Sequence, residues 1–322
     1  MKLTYSIVVP VYNRPDEVAA LLASLSNQNG AVPFEVIIVE DGSLKDCKSI
    51  VASYQSRLNI SYYFTKNQGA GKSRNYGMQK ANGDYFIIFD SDCIIPENYI
   101  QVIDKKLEEF YTDAFGGPDA AHVSFTNFQK AVNYSMTSWL TTGGIRGKKK
   151  SVGRFQPRSF NFGISKEAFK KTKGFSDMKT GEDIDLTFRL WLAGFETQCI
   201  EKAFVYHKRR ANLQQFYWQV FSFGCTRPLL TKKYPHTAKI TYWFPSLFFI
   251  GFFTAVLFAV IGQVFVGVLL YLFYFLLLAI QASITSRSLI VGLVSVLTTI
   301  TQFFAYGLGF LKSSLKLRFM KS

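Results

Sequence analysis

Apolar and polar positions along the first hundred residues follow two alternating rhythms. Ser6–Val11 is a β-branched run, and Pro15–Ser26 follows with Val18, Leu21, Leu22 and Leu25 at helical spacing and Pro15 where a helix start tolerates proline. Phe34–Val39 is a second apolar run, closed by Glu40-Asp41-Gly42-Ser43. Leu44–Tyr54 predicts a helix, Ile60–Phe64 a strand, Gly71–Lys80 a helix and Asp84–Phe89 a fourth strand. Buried strands alternating with helices predict an α/β domain with a mainly parallel sheet covered by helices on both faces. Ligands of such sheets bind at the carboxyl ends of the strands. Here those ends carry Asn13, Asp41 and Asp90-Ser91-Asp92.

The rhythm fades from Ala114 to Phe160. Gly116-Gly117-Pro118, Gly143-Gly144 and Gly147-Lys148-Lys149-Lys150 predict irregular loops, the last two either a hinge with a basic tip that orders on a ligand or a permanently solvated loop. Order returns at Ser159–Ser165, then a helix at Lys166–Lys171. A stronger helix covers Asp183–Ala193, with Gly194 to end it, and Glu196–Ile200 and Ala203–His207 read as strands.

The last third changes character. Ile240–Ile261, Val264–Ile284 and Ser288–Leu311 each approach the roughly 20 apolar residues that span a bilayer. Gln214–Leu230, aromatic and flanked by Arg209, Arg210, Arg227, Lys232 and Lys233, reads either as an interfacial helix or as one packed on the soluble domain. The expected organisation is an α/β domain over residues 1–212, a basic interfacial linker over 213–239, a membrane region over 240–311 and a basic tail over 312–322.

Charge sharpens this picture. Of 37 basic and 22 acidic residues, no acid follows Glu201, and five bases lie from residue 240 onward. With 48% apolar content the chain is not disordered, and the uncharged run from Ile240 to Ser286 is incompatible with a fully soluble protein. The basic excess suits an anionic leaflet or phosphate-bearing substrates; without a nucleic-acid motif beside it, no nucleic-acid partner is expected. The four cysteines, far apart and without a C-x-x-C pair, read as small buried hydrophobes in a reducing compartment. Met1–Thr4 runs straight into a strand, without a signal peptide, so the front domain is expected in the cytoplasm at the inner membrane. Three full spans would then export a tail bearing four basic residues, against the positive-inside tendency. Either one hydrophobic segment is re-entrant or interfacial, or the short tail is exported despite its charge.

Chemistry gathers at the strand ends. Asp90 and Asp92, two apart on a bend, can share a hard cation such as Mg²⁺ or Mn²⁺ whose remaining positions take water and phosphate oxygens; a solvated acidic loop is the alternative. Asp41 can accept from a nucleobase or ribose, or cap the next helix across the Asp41-Gly42 turn. Asn67–Asn75 is glycine-rich but lacks the spacing of a phosphate loop, and no G-x-G-x-x-G follows the first strand, which argues against a dinucleotide oxidoreductase. Arg74 can reach a diphosphate or pair with the aspartates. Asp183 opens a helix, as a cap or a general base. His207, before Lys208-Arg209-Arg210, is a metal ligand or a structural histidine.

Taken in order, Val8-Val-Pro-Val-Tyr-Asn-Arg14, Val39-Glu-Asp-Gly-Ser43, Arg74-Asn-Tyr-Gly77, Asp90-Ser-Asp92, Gly181-Glu-Asp183 and His207-Lys-Arg-Arg210 resemble the family 2 glycosyltransferases with the GT-A fold, over roughly residues 5 to 233. The resemblance implies inverting sugar transfer from a nucleotide donor, UDP- or GDP-linked, with Mg²⁺ or Mn²⁺. It implies nucleotide contacts from Pro10, Tyr12, Asn13, Asp41, Arg74 and Asp90, metal ligands in Asp92 and His207, and Asp183 as catalytic base. Glu182, Arg209, Arg210 and Trp218 would contact diphosphate or acceptor. Two departures stand out. Glu40-Asp41 replaces the usual paired aspartate, and Gln214-Gln-Phe-Tyr217-Trp218 has tyrosine where processive members carry the arginine of Gln-x-x-Arg-Trp, which favours single-sugar transfer.

The implied protein is a membrane-anchored transferase acting on a lipid-linked or glycan acceptor in surface polysaccharide or glycolipid synthesis. A polyprenyl-phosphate sugar transferase is the near alternative. A non-catalytic nucleotide-sugar sensor or transporter subunit is the alternative of another class. Against the transporter, the spans carry no ionisable residue except Arg287, in a linker, and against the sensor, metal, base and diphosphate candidates are all retained.

Overall fold

A computed structural model describes residues 2–143 and 154–319. Gly144 and Gly147–Lys150, read above as part of a hinge and a basic tip, lie outside these residues, as does Lys321 of the tail. The strands are β1 (Tyr5–Val11), β2 (Phe34–Asp41), β3 (Ile60–Thr65), β4 (Tyr85–Phe89), β5 (Cys93–Ile94), β6 (Ala114–Gly116), β7 (Asp119–Ala120), β8 (Asn161–Ser165), β9 (Thr197–Cys199) and β10 (Val205–His207). The helices are α1 (Pro15–Ser26), α2 (Lys48–Tyr54), α3 (Ala70–Lys80), α4 (Tyr99–Glu109), α5 (Asn127–Thr137), α6 (Trp139–Thr142), α7 (Lys166–Thr172), α8 (Glu182–Leu192), α9 (Leu213–Lys233), α10 (Phe244–Ile261), α11 (Val266–Ser286) and α12 (Leu289–Phe319).

The chain forms two compact units, Met1–His122 with Gly147–Lys208, and Val123–Arg146 with Arg209–Ser322. In the first, a seven-stranded sheet has the order β3-β2-β1-β4-β8-β6-β9, and a three-stranded sheet the order β5-β10-β7. β1, β2, β3 and β4 are mutually parallel, while β8 runs antiparallel between β4 and β6. The expected mainly parallel α/β sheet is therefore what forms. Because side chains alternate across a strand, Ile7, Val9 and Ile38 face one apolar layer with Val18, Leu21, Leu22 and Leu25 of α1. Val8, Ile37 and Ile88 face the other layer. Gly77 lets α3 close onto that second face, since a Cβ there would stand 2.4 Å from Val8 Cγ1.

Two local expectations are corrected. Leu44–Cys47 is not helical: the Asn13 side chain accepts the Leu44 and Lys45 amides at 2.8 and 3.0 Å, and Glu40 accepts that of Cys47 at 2.9 Å, so the helix starts only at Lys48. The stretch read as loops from Ala114 holds β6, β7 and α5, whose start is a capping box between Thr126 and Gln129.

In the second unit, α9 is one helix with Pro228 inside it. Its Phe216 and Val220 pack with Val132 and Met136 of α5 and Ala305 of α12. Gly224 and Gly309 bring α9 and α12 together, since a Cβ on either would meet the other helix's backbone carbonyl at 2.2 or 2.3 Å. Ile240–Ile261, Val266–Ser286 and Leu289–Phe319 are each long and apolar enough to cross a membrane.

Candidate active site

The ends of β1 and β2 are locked together by side chains. Pro10 is buried in β1 opposite Val39, and Tyr12 beyond it is half exposed. Asn13 adopts the left-handed conformation at φ 54°, its amide donating to Ser43 Oγ at 2.7 Å. Glu40 is fully buried, accepting from the Ser43 hydroxyl and from the Cys47 amide and thiol. Burial and this carboxylate push the Cys47 thiol well above its ordinary value. Asp41 accepts the Gln68 amide at 2.8 Å and the Gly69 amide at 2.9 Å, one on each carboxylate oxygen, and so fixes the turn that opens α3. The substitution of Glu for Asp at position 40 thus serves a buried structural role, while Asp41 keeps the strand end.

That turn aims Arg74. Its side chain is 4% exposed, with one guanidinium nitrogen 2.7 Å from Asp90 Oδ1 and another 2.8 Å from Glu182 Oε1. The guanidinium also stands 5.1 Å over the Phe175 ring. Burial would lower its pKa, but Asp90 and Glu182 outweigh that and raise it above the ordinary arginine value. Burial raises the Glu182 carboxyl; Arg74 opposes this and neighbouring Asp183 adds to it, leaving a net upward shift.

Asp92 is gripped from two sides. Arg14 meets its Oδ2 at 2.7 Å, and His207 Nε2 lies 3.3 Å from its Oδ1. Antiparallel pairing of β10 with β5 sets His207 opposite Cys93, and the Lys208 amide donates to the Asp92 carbonyl at 3.0 Å. The His207 imidazole lies flat on Phe160, centroids 4.6 Å apart and planes 19° apart, with its Nδ1 4.0 Å from an Asp119 carboxylate oxygen. Burial would raise the Asp92 carboxyl, yet His207 and Arg14 hold it well below the usual carboxylate range. One ligand atom from each of Asp90, Asp92 and His207 lies within 4.8 Å of the others. Two carboxylates and an imidazole fit Mg²⁺ or Mn²⁺. Among the described residues nothing donates a hydrogen bond to the buried Asp92 Oδ1, an oxygen such an ion would satisfy.

Asp183 follows Glu182 in the first turn of α8. Its carboxylate accepts the Ile184 amide at 2.8 Å and the Ser159 amide at 3.3 Å, with Arg158 3.9 Å away. Arg74 thus joins Asp90 to Glu182, Arg14 and His207 hold Asp92, and the two groups meet where Asp90, Asp92 and His207 converge, with Asp183 beside Glu182 and Asn13 and Asp41 at the neighbouring strand ends. Arg209, Arg210 and Trp218 belong to the second unit. There Arg209 pairs with Asn133 at 3.0 Å, and Trp218 is 56% exposed on α9. Sequence reasoning gave no role to Arg14, Asp119, Phe160 or Arg158. Asp119 sits just past Gly116-Gly117-Pro118 in a strand of two residues, too short to leave a periodic signal.

The Glycosyl transferase family 2 model matches residues 6–173 of this chain. Over 228 residues the chain is 27% identical to the succinoglycan biosynthesis protein ExoA of Rhizobium meliloti, covering 68% of this chain and 67% of that protein. Over 263 residues it is 27% identical to the chondroitin synthase of Escherichia coli, covering 72% of this chain but 38% of the synthase. Among solved structures, the mannosyltransferase PcManGT from Pyrobaculum calidifontis in complex with GDP-Man and Mn²⁺ shares the fold with a TM-score of 0.65 at 14% identity, over 98% of this chain and 88% of that one.

Proposed function

Because this chain belongs to glycosyl transferase family 2, we propose that it is a membrane-anchored, inverting, metal-dependent enzyme moving one sugar from a nucleotide-diphosphate sugar to a lipid-linked acceptor in surface polysaccharide or glycolipid synthesis. The observation that carries the reading is the convergence of Asp90, Asp92 and His207 beside the Arg74–Glu182 pair at the start of α8. The polysaccharide-related names of the relatives and the GDP-Man and Mn²⁺ of the structural neighbour support it. The apolar helices of the second unit support anchoring. Tyr217, in place of the arginine of processive enzymes, supports single-sugar transfer.

Each residue has a task in this reading. Asp41, with Pro10, Tyr12 and Asn13 around it, holds the base, and Asp90 the ribose. Asp92 and His207 hold the cation, which supplies positive charge to the departing diphosphate. Arg74 keeps Asp90 and the start of α8 in register. Asp183 takes the proton of the acceptor hydroxyl as that oxygen attacks the anomeric carbon from the face opposite the leaving nucleotide, a contribution of about 10²–10⁴-fold.

Purified protein incubated with radiolabelled UDP- and GDP-sugars, a lipid extract and Mg²⁺ or Mn²⁺ tests the reading. Transfer of label to an extractable lipid, abolished by EDTA, is the expected result. Nucleoside diphosphate binding equally tight with and without EDTA would contradict the metal assignment, and water-soluble polymer as the only product would contradict the acceptor and single-sugar assignments.

A further inference from the structure

α10 and α11 form an antiparallel hairpin. The Tyr271 hydroxyl donates to the Phe248 carbonyl at 2.8 Å, and Phe252 meets Tyr271 with centroids 5.3 Å apart. The beginning of α10 and the end of α11 therefore share one end of the hairpin, opposite the turn at residues 262–265. A third span antiparallel to α11 would carry the later residues of α12 toward that turn, beside the last turns of α10.

The later residues of α12 go elsewhere. Near its start, Gly292 presses on Ala279 and Ser283 in the last turns of α11. Further along, Phe303 meets Phe244 and Phe248, the Ser246 hydroxyl donates to the Gly307 carbonyl at 3.2 Å, and Phe310 meets Trp243 at 4.8 Å. Moving from Gly292 to Phe310 thus leads from the end of α11 to the beginning of α10, across the base of the hairpin. The end of α12 confirms this direction: Arg318 lines a cavity of about 410 Å³ together with Lys232, Lys239, Tyr242 and Trp243, all of which precede α10.

The opposite face of α12 is polar and covered. The Ser135 hydroxyl of α5 bonds Thr298 at 2.6 Å and Thr299 at 3.0 Å, and no residue from 298 to 310 is exposed. By contrast Leu247, Leu257, Val260, Leu269, Phe273 and Leu276 of the hairpin lie bare. A helix of 31 residues is about 46 Å long, more than the roughly 30 Å apolar thickness of a bilayer.

We propose that α12 is an interfacial helix and not a third crossing, an inference that rests on the membrane anchoring put forward above. It lies along the face from which the chain enters α10, and Lys312, Lys316 and Arg318 stay on that face with Lys232 and Lys239. This unit contains no acidic side chain, so the phosphates of lipid headgroups are the counter-charges this basic edge fits. The arrangement removes the conflict between three apolar segments and a basic tail, because a hairpin returns the chain to its starting side.

Single cysteines introduced in the full chain test this: Lys239→Cys before α10, and Lys316→Cys or Arg318→Cys at the end of α12. All three side chains are exposed. Each variant is labelled with a membrane-impermeant maleimide in sealed right-side-out and inverted vesicles, with the unsubstituted chain as background. All three are expected to label from the same face. Labelling of Lys239→Cys from one face and of Lys316→Cys and Arg318→Cys from the other would overturn the proposal. Recovery of the chain in a carbonate-washed soluble fraction would instead refute the anchoring on which it rests.

Discussion

Arg74 grips Asp90 at 2.7 Å from a position where its own side chain is 4% exposed, and the same guanidinium reaches Glu182 at 2.8 Å. One buried cation thereby joins Asp90 at the end of β4 to Glu182 at the start of α8, 92 residues away in sequence, the two places where the proposed cation-binding and catalytic carboxylates lie. Removing one member of a buried ionic group strands the others, at a cost of about 3–5 kcal/mol. Arg74→Gln is expected to lower the thermal midpoint clearly and to abolish nucleotide binding. Arg74→Lys keeps the charge but loses the two-pronged geometry, and should recover only part of both. An unchanged midpoint in a thermal unfolding scan of Arg74→Gln would show that the group is not under this load.

Asp119 faces Nδ1 of His207 at 4.0 Å while Phe160 holds the ring flat. A carboxylate behind a ligating imidazole orients it, and its loss typically lowers metal affinity about 10–100-fold. Asp119→Asn should therefore weaken Mn²⁺ binding, followed by electron paramagnetic resonance, by that order, with nucleotide binding in the absence of metal unaffected. Equal Mn²⁺ affinity in variant and parent would remove Asp119 from this role.

How far the sequence foretold this site depended on strand length. Asp90-Ser91-Asp92 was legible because β4 is buried on both faces and reads as an unbroken apolar run ending at Phe89. β5, β7 and β10 have two or three residues each, too few for any periodicity, yet their pairing sets His207 against Asp92 and Asp119. α5 was hidden because its inward face includes Gln129 and Ser135, polar residues buried by tertiary packing. Leu44–Cys47 has helical composition, but Asn13 and Glu40, distant or earlier in sequence, take the amides that a helix would use. The antiparallel insertion of β8 was likewise invisible, since Asn161–Ser165 looks the same whichever way it runs.

Glu35 offers a pH signature away from the site. Burial alone would raise its carboxyl, but the Ser6 hydroxyl at 2.6 Å and the Asn82 amide at 2.7 Å prevail and hold it below its ordinary value. Its folded value is the lower one, so its contribution to stability is present above the unfolded carboxylate range, about 4–4.5, and is lost as pH falls through the folded value. Glu35→Gln should be less stable than the parent near neutrality, with the difference shrinking below pH ~4. Thermal midpoints compared across that range check this; a constant difference at every pH would contradict it.

Removal of the acceptor proton by Asp183, as proposed for the nucleotide-sugar transfer, is tested by Asp183→Asn. Asparagine is nearly isosteric and its side-chain oxygen can still accept the Ile184 amide, so the start of α8 is preserved. Steady-state turnover with donor, metal and acceptor is expected to fall by about two orders of magnitude or more, while calorimetric donor affinity stays near that of the parent. Near-parental turnover would contradict the assignment and shift the role to Glu182, Asp185 or an acceptor phosphate needing no base. Outright loss of donor binding would contradict it in the other direction and leave Asp183 as a structural cap.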